Sequence, residues 1–160
     1  MIFEISPTTK AKIDEWVNKF PPERKQSALL QALMFVQQDN GGWLNEAAMN
    51  AVADYLSLPR IAVYEVATFY DMYDLKPVGK TKIDICTNIS CKLNGSDQLV
   101  EYLQQRLGIA LNETTQDGKY TLKSVECLGA CIGAPACQIG KTYHENLTPE
   151  KLDEIIKRLA

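Results

Sequence analysis

The stretch Lys82-Ile83-Asp84-Ile85-Cys86-Thr87-Asn88-Ile89-Ser90-Cys91 decides the class of fold. Polar and apolar residues alternate through Ile85, the period of a half-buried strand. Two cysteines with four residues between them follow, and a helical pattern begins soon after. Residues 96–107 place Leu99, Tyr102, Leu103 and Leu107 on one helical face. Asp117-Gly118 is a turn signal, and Tyr120 to Val125 reads as a second strand. Ala136 to Tyr143 reads as two short strands around Gly140-Lys141. Thr148 is placed to cap a last helix with Leu152, Ile155, Ile156 and Leu159 on one face. The order is β-α-β-β-β-α. A helical crossover joins neighbouring parallel strands, so a small α/β sandwich of the thioredoxin type is expected.

Upstream the period is helical throughout. Residues 8–20 carry Ile13, Trp16, Val17 and Phe20 at i, i+3, i+4 and i+7, before Pro21-Pro22 stops the run. Residues 23–39 repeat the spacing with Leu29, Ala32, Leu33 and Val36, and Asn40-Gly41-Gly42 closes that helix. Asn45 is placed to cap a third helix through Ala48, Ala51, Val52 and Tyr55, broken at Leu58-Pro59. A fourth, about 60–73, carries Val63, Val66, Ala67 and Tyr70. Four short helices predict a helical bundle over 1–79, with Lys76-Pro77-Val78-Gly79 as the hinge to an α/β domain over 80–160. The burial habits of aromatic residues favour core packing over a partner surface for Phe69, Tyr70 and Tyr73.

Composition narrows the function classes. The chain has 160 residues, a net charge of -3 and five cysteines; 46% of residues are hydrophobic and 23% charged. This is globular composition, and a chain this long buries a core without disulfide staples. The mildly acidic balance argues against a nucleic-acid partner, which needs a basic surface. No apolar run reaches the roughly 20 residues of a membrane span. The start Met-Ile-Phe-Glu-Ile shows no secretory or transit signal, so a reducing, cytoplasmic setting is expected. Asn-x-Ser/Thr triplets at Asn88, Asn94, Asn112 and Asn146 are then incidental.

An odd cysteine count in a reducing compartment points to metal binding or redox chemistry. Cys86 and Cys91 follow the first strand, and Cys127 and Cys131 follow the second. If those strands are parallel neighbours, both loops leave one edge of the sheet, where open α/β folds place ligands. Four thiolates there suit a structural zinc or an iron–sulfur cluster. Zinc knuckles are usually C-x2-C; the wider x4 and x3 loops favour a two-iron cofactor. Neither a plant-type ferredoxin spacing nor a C-x-x-C dithiol is present. Buried free cysteines acting as small hydrophobes are the bland alternative, disfavoured because both pairs fall in glycine-containing loops. Cys137 reads as a core thiol, and Pro135 stands where thioredoxin-like folds place a cis proline.

Cys86-Thr-Asn-Ile-Ser-Cys91-Lys-Leu-Asn-Gly95 and Val125-Glu-Cys127-Leu-Gly-Ala-Cys131-Ile-Gly-Ala-Pro135 resemble one family, the small E-type iron–sulfur component of bacterial NADH:quinone oxidoreductase, respiratory complex I. Ala32-Leu-Met-Phe-Val-Gln-Gln-Asp-Asn-Gly-Gly-Trp43 and Val66-Ala-Thr-Phe-Tyr70 resemble its N-terminal motifs. The resemblance implies a helical bundle followed by a thioredoxin-like [2Fe-2S] ferredoxin domain. It implies one [2Fe-2S] cluster, with Cys86 and Cys91 on one iron and Cys127 and Cys131 on the other. It also implies docking on an F-type flavoprotein that binds FMN and NADH, beside a larger iron–sulfur subunit. The complex would be peripheral on the cytoplasmic side of the inner membrane, and the chain itself would bind no substrate. Equivalent subunits of NAD-linked hydrogenases and formate dehydrogenases share both halves. A zinc-stabilised interaction module is the reading from another class. Cys137 departs from common members of the family, as does Lys92.

Other chemistry has little material. No G-x-G-x-x-G occurs, and the P-loop-like Gly79-Lys80-Thr81 and Gly140-Lys141-Thr142 lack the upstream glycine, with Asp74 and Pro135 in its place. His144 is the sole histidine and reads as a turn or surface residue; Asp153-Glu154 reads as a solvated helix face. No catalytic residue is expected. A helix N-terminus just after Cys91 and the Leu128-Gly129-Ala130 backbone are expected to donate to the cluster. Removing the charge beside a ligand, Lys92→Gln, is expected to lower the reduction potential.

Overall fold

A computed structural model describes residues 3–159; Met1 and Ile2, the first residues of the start read above for a signal, lie outside it, as does Ala160. The chain forms two compact units, Met1–Pro77 and Val78–Ala160.

The first unit is helical. In α1 (Pro7–Val17) the Ser6 side chain accepts from the Thr9 N–H at 3.2 Å, and Pro7 occupies the first turn, where no N–H is needed. Helix α2 (Leu29–Asp39) starts later than the apolar spacing predicts. Residues 22–28 form a 3-10 stretch kinked at Arg24. All of 22–27 are exposed, so no apolar stripe holds them in the α lattice. Asn45 caps α3 (Glu46–Leu56) by accepting from the Ala48 N–H at 2.7 Å. Helix α4 (Arg60–Phe69) stops short of the expected residue 73. The chain is drawn off by Gln37, whose amide donates to the Met72 carbonyl at 3.1 Å and accepts from the Asp74 N–H at 2.8 Å. Tyr73 is buried, and its hydroxyl donates to the Leu30 carbonyl at 2.7 Å. Core packing thus describes Tyr73, whereas Phe69 is 79% exposed. Ile13, Leu29, Leu33, Val36, Leu44, Val52 and Val63 form the sealed centre of this unit.

The second unit is a five-stranded sheet in the order β2-β3-β1-β4-β5. Its strands are β1 (Thr81–Cys86), β2 (Glu113–Thr114), β3 (Tyr120–Val125), β4 (Cys137–Ile139) and β5 (Thr142–His144). Strands β1 and β3 run parallel with Cys86 opposite Val125; the other pairings are antiparallel. Helices α5 (Ile89–Leu93) and α6 (Ser96–Leu107) connect β1 to the β2–β3 hairpin, and α7 (Pro149–Leu159) closes the chain. The expected β-α-β-β-β-α order is present, with β2 and α5 added. Both are too short to carry a readable period. Leu103 of α6 and Leu152 of α7 share one core with Ile83, Ile85 and Leu122.

Gly79 has a steric reason to be glycine: a Cβ there would lie 2.9 Å from the Tyr120 backbone. The four asparagines of the Asn-x-Ser/Thr triplets each shape backbone. Asn88 caps α5, Asn94 ends it, and Asn112 and Asn146 hold positive φ. His144 is half-buried on β5.

Candidate metal centre

The parallel register carries both cysteine loops to one end of the sheet. Cys86 is the last residue of β1, and its N–H donates to the Ala136 carbonyl at 3.1 Å, prolonging the β1–β4 ladder. The neighbouring strand end is latched to it. The Thr87 N–H donates to the Val125 carbonyl at 3.1 Å, the Thr87 and Ser124 hydroxyls meet at 2.7 Å, and the Asn88 amide donates to Glu126 at 2.6 Å. The two loops therefore leave neighbouring points.

Cys91 lies inside α5, not ahead of a helix. The helix N-terminus falls before it, at Asn88, whose side chain accepts from the Ile89 N–H at 2.9 Å. This corrects the expected dipole position: the next helix start, at Ser96, lies beyond Gly95. Cys127 and Cys131 flank a loop in which Gly129 holds φ +77, a conformation glycine adopts without a Cβ penalty. That turn aims the Gly129 N–H at the Cys127 sulfur, 3.4 Å away.

The pairs differ in surroundings. Cys86 and Cys91 are buried with Ala136, against Leu128, Ala130 and Ala134 from the second loop. Cys127 and Cys131 are exposed, with their sulfurs 3.4 Å apart. Burial, reinforced by a hydrogen bond with Cys86, pushes the Cys91 thiol up to about 11, against the opposing Ala136 backbone bond. The Gly129 N–H, then the Cys131 thiol, hold Cys127 below the usual thiol range. Cys131 is raised by its bond to Cys127, and the Ser90 hydroxyl opposes that rise. Cys127 and Cys86 also raise Cys131 by their charge. Among the described residues, no group of three or more Cys, His, Asp or Glu is gathered closely enough to hold a metal ion.

Cys137 is fully buried and stands apart. Successive strand residues point to opposite faces, so Ala136 joins the cysteine pocket while Cys137 joins the sheet core with Ile83 and Ile85. Lys92 extends into solvent and pairs with Asp97 at 3.3 Å.

An all-thiol donor set in two pairs, with the Gly129 N–H donating to one sulfur, fits an iron–sulfur cluster. Family comparison points the same way. Residues 13–160 match the family described as thioredoxin-like [2Fe-2S] ferredoxin, and the chain belongs to that family. The E-type NADH-quinone oxidoreductase protein of Rickettsia bellii (strain RML369-C) is 48% identical over 146 residues, covering 91% of this chain and 87% of the relative. Its namesake from Rickettsia prowazekii (strain Madrid E) is 45% identical over 142 residues, covering 89% and 80%. A solved NAD+-reducing [NiFe]-hydrogenase in the air-oxidised state matches in fold, with a TM-score of 0.69 at 22% identity. That match covers 82% of this chain and 22% of the hydrogenase chain.

Proposed function

We propose that this chain is the electron-transfer subunit of an NADH:quinone oxidoreductase and holds one [2Fe-2S] cluster. Cys86 and Cys91 hold one iron, and Cys127 and Cys131 the other. The observation that carries this reading is the delivery of both thiol pairs to one end of the sheet by the parallel β1–β3 register. The two Rickettsia relatives, similar over about nine-tenths of this chain, favour it over the hydrogenase and formate dehydrogenase equivalents. The bound cluster supplies one-electron transfer. This chain's residues hold it, exclude water from one side and donate hydrogen bonds to its ligands.

The electron partner is an FMN- and NADH-binding flavoprotein, with a larger iron–sulfur subunit in the same assembly. Among the described residues no helix is long and apolar enough to cross a membrane. In this reading the chain sits peripherally on the cytoplasmic face of the inner membrane and catalyses nothing alone. Anaerobically purified protein should be reddish-brown with near-equal iron and acid-labile sulfide. A colourless protein that stays zinc-loaded after expression with ample iron would overturn the assignment. Co-purification with the flavoprotein tests the complex.

A further inference from the structure

Cys127 and Cys131 are the two exposed cysteines, and their sulfurs already stand 3.4 Å apart. A disulfide needs about 2.05 Å, so about 1.4 Å remains to close. The loop between them has room for that movement. Gly129 turns the chain at φ +77, and a Cβ built there would meet nothing within 4 Å beyond its chain neighbours. The far side of the loop is firm. The Gly133 N–H donates to the Ala130 carbonyl at 3.1 Å and the Ala134 N–H to the Cys131 carbonyl at 3.3 Å, which holds Cys131 at the start of a 3-10 turn. Cys86, Cys91 and Cys137 are buried, and thiol–disulfide exchange needs an attacking sulfur that the oxidant can reach. In a reducing compartment the disulfides that do form are transient and redox-sensing.

We propose that Cys127 and Cys131 form a reversible oxidation site of the metal-free chain, closed to a disulfide by a low-molecular-weight disulfide such as oxidised glutathione. One protein thiolate attacks the small disulfide, which expels one thiol and leaves a mixed disulfide. The second protein thiolate attacks the protein-side sulfur of that bond, forms the Cys127–Cys131 bond and expels the other thiol. The protein pair gives up two electrons and two protons, and the small disulfide takes them as two free thiols. One consequence rests on the ligand set proposed above: the oxidised pair cannot bind iron, and a bound cluster withholds both sulfurs from the oxidant. Oxidation therefore competes with cluster loading at the outer pair alone, while the inner pair stays reduced.

The test uses the full chain, stripped of metal under a reductant and then held with oxidised glutathione under argon. Acid stops the exchange, N-ethylmaleimide traps the free thiols in denaturant, and peptides are mapped by mass. Cys127 and Cys131 should be joined to each other. Cys86, Cys91 and Cys137 should be recovered as trapped thiols, oxidising at least about 100-fold more slowly because each needs local opening first. Cys127→Ser and Cys131→Ser should each stop at a mixed disulfide on the remaining thiol of the pair. A phosphine should return the wild-type pair to free thiols. In the cluster-loaded chain the disulfide should form at least about tenfold more slowly. Wild-type chain that stops at mixed disulfides, or that links an outer sulfur to a buried one, overturns the proposal. Equal rates with and without bound cluster leave the disulfide standing, but overturn this pair as ligands and the competition with it.

Discussion

Cys86 ends β1 and Cys91 lies within α5, both sealed by Ala136 and by apolar residues of the opposite loop. Cys127 and Cys131 sit in an open loop whose shape depends on one glycine. One pair belongs to the protein interior as well as to the proposed centre; the other belongs to that proposed centre and to solvent. Four chemically identical side chains therefore make unequal demands on the fold. Burial raises the thiol of the inner pair's Cys91, whereas N–H donation lowers that of Cys127 in the outer pair.

Removing a ligand gives the largest effect and tests both halves of this contrast. Cys91→Ala and Cys131→Ala should each weaken iron binding by more than about 100-fold, because losing a ligand costs more than losing its outer partner. In the metal-free proteins the two should separate. Cys91→Ala should lower stability by about 1 kcal/mol through lost buried contact, and Cys131→Ala should stay within about 0.5 kcal/mol of wild type. Urea melts that coincide would break the comparison.

Thiol labelling gives the next effect. In metal-free protein, iodoacetamide should modify Cys127 and Cys131 at least about 100-fold faster than Cys86, Cys91 and Cys137, whose exposure requires local opening. Peptide mass mapping reads the order, and uniform labelling would contradict the burial difference.

A smaller effect concerns Cys137. Burial, with a contribution from Asp84, pushes its thiol from the ordinary 9.0 up to about 12. The folded state then holds a proton that the unfolded chain releases above about pH 9. That stability is complete below pH 9 and is lost as pH rises toward 12, at about 1 kcal/mol per pH unit. Cys137→Ala should remove this part of the alkaline slope in urea melts between pH 8 and 10.5. An identical slope in both proteins would show that Cys137 does not cause it.

Lys92→Gln should have the smallest effect. The Lys92 ammonium is solvated and already faces Asp97, so the reduced-to-oxidised ratio at fixed potential should change less than about twofold. The direction remains the fall expected from its place beside a ligand. A tenfold change in a redox titration would put that charge within the unscreened field of the cluster.

Much of the sheet unit was legible in advance because its signals are local. Alternation marked β1, helical spacing marked α6 over its observed length, and Gly140-Lys141 marked the hairpin between β4 and β5. The thiol pairs could be placed at strand ends for the same reason. What escaped depends on distant partners. The end of α4 is set by Gln37, far upstream of it. The unequal burial of the cysteine pairs is set by Ala136 and by the side chains of the second loop.

The β1–β3 register also orders events in the life of the chain. Cys86 comes beside the second cysteine loop only when two strands separated by helices and a hairpin have paired in parallel. Such non-local pairing forms slowly, because a long loop must close before any contact rewards it. The four thiols are therefore gathered only once this pairing has formed, and in the metal-free chain Cys127 and Cys131 are the two that face solvent.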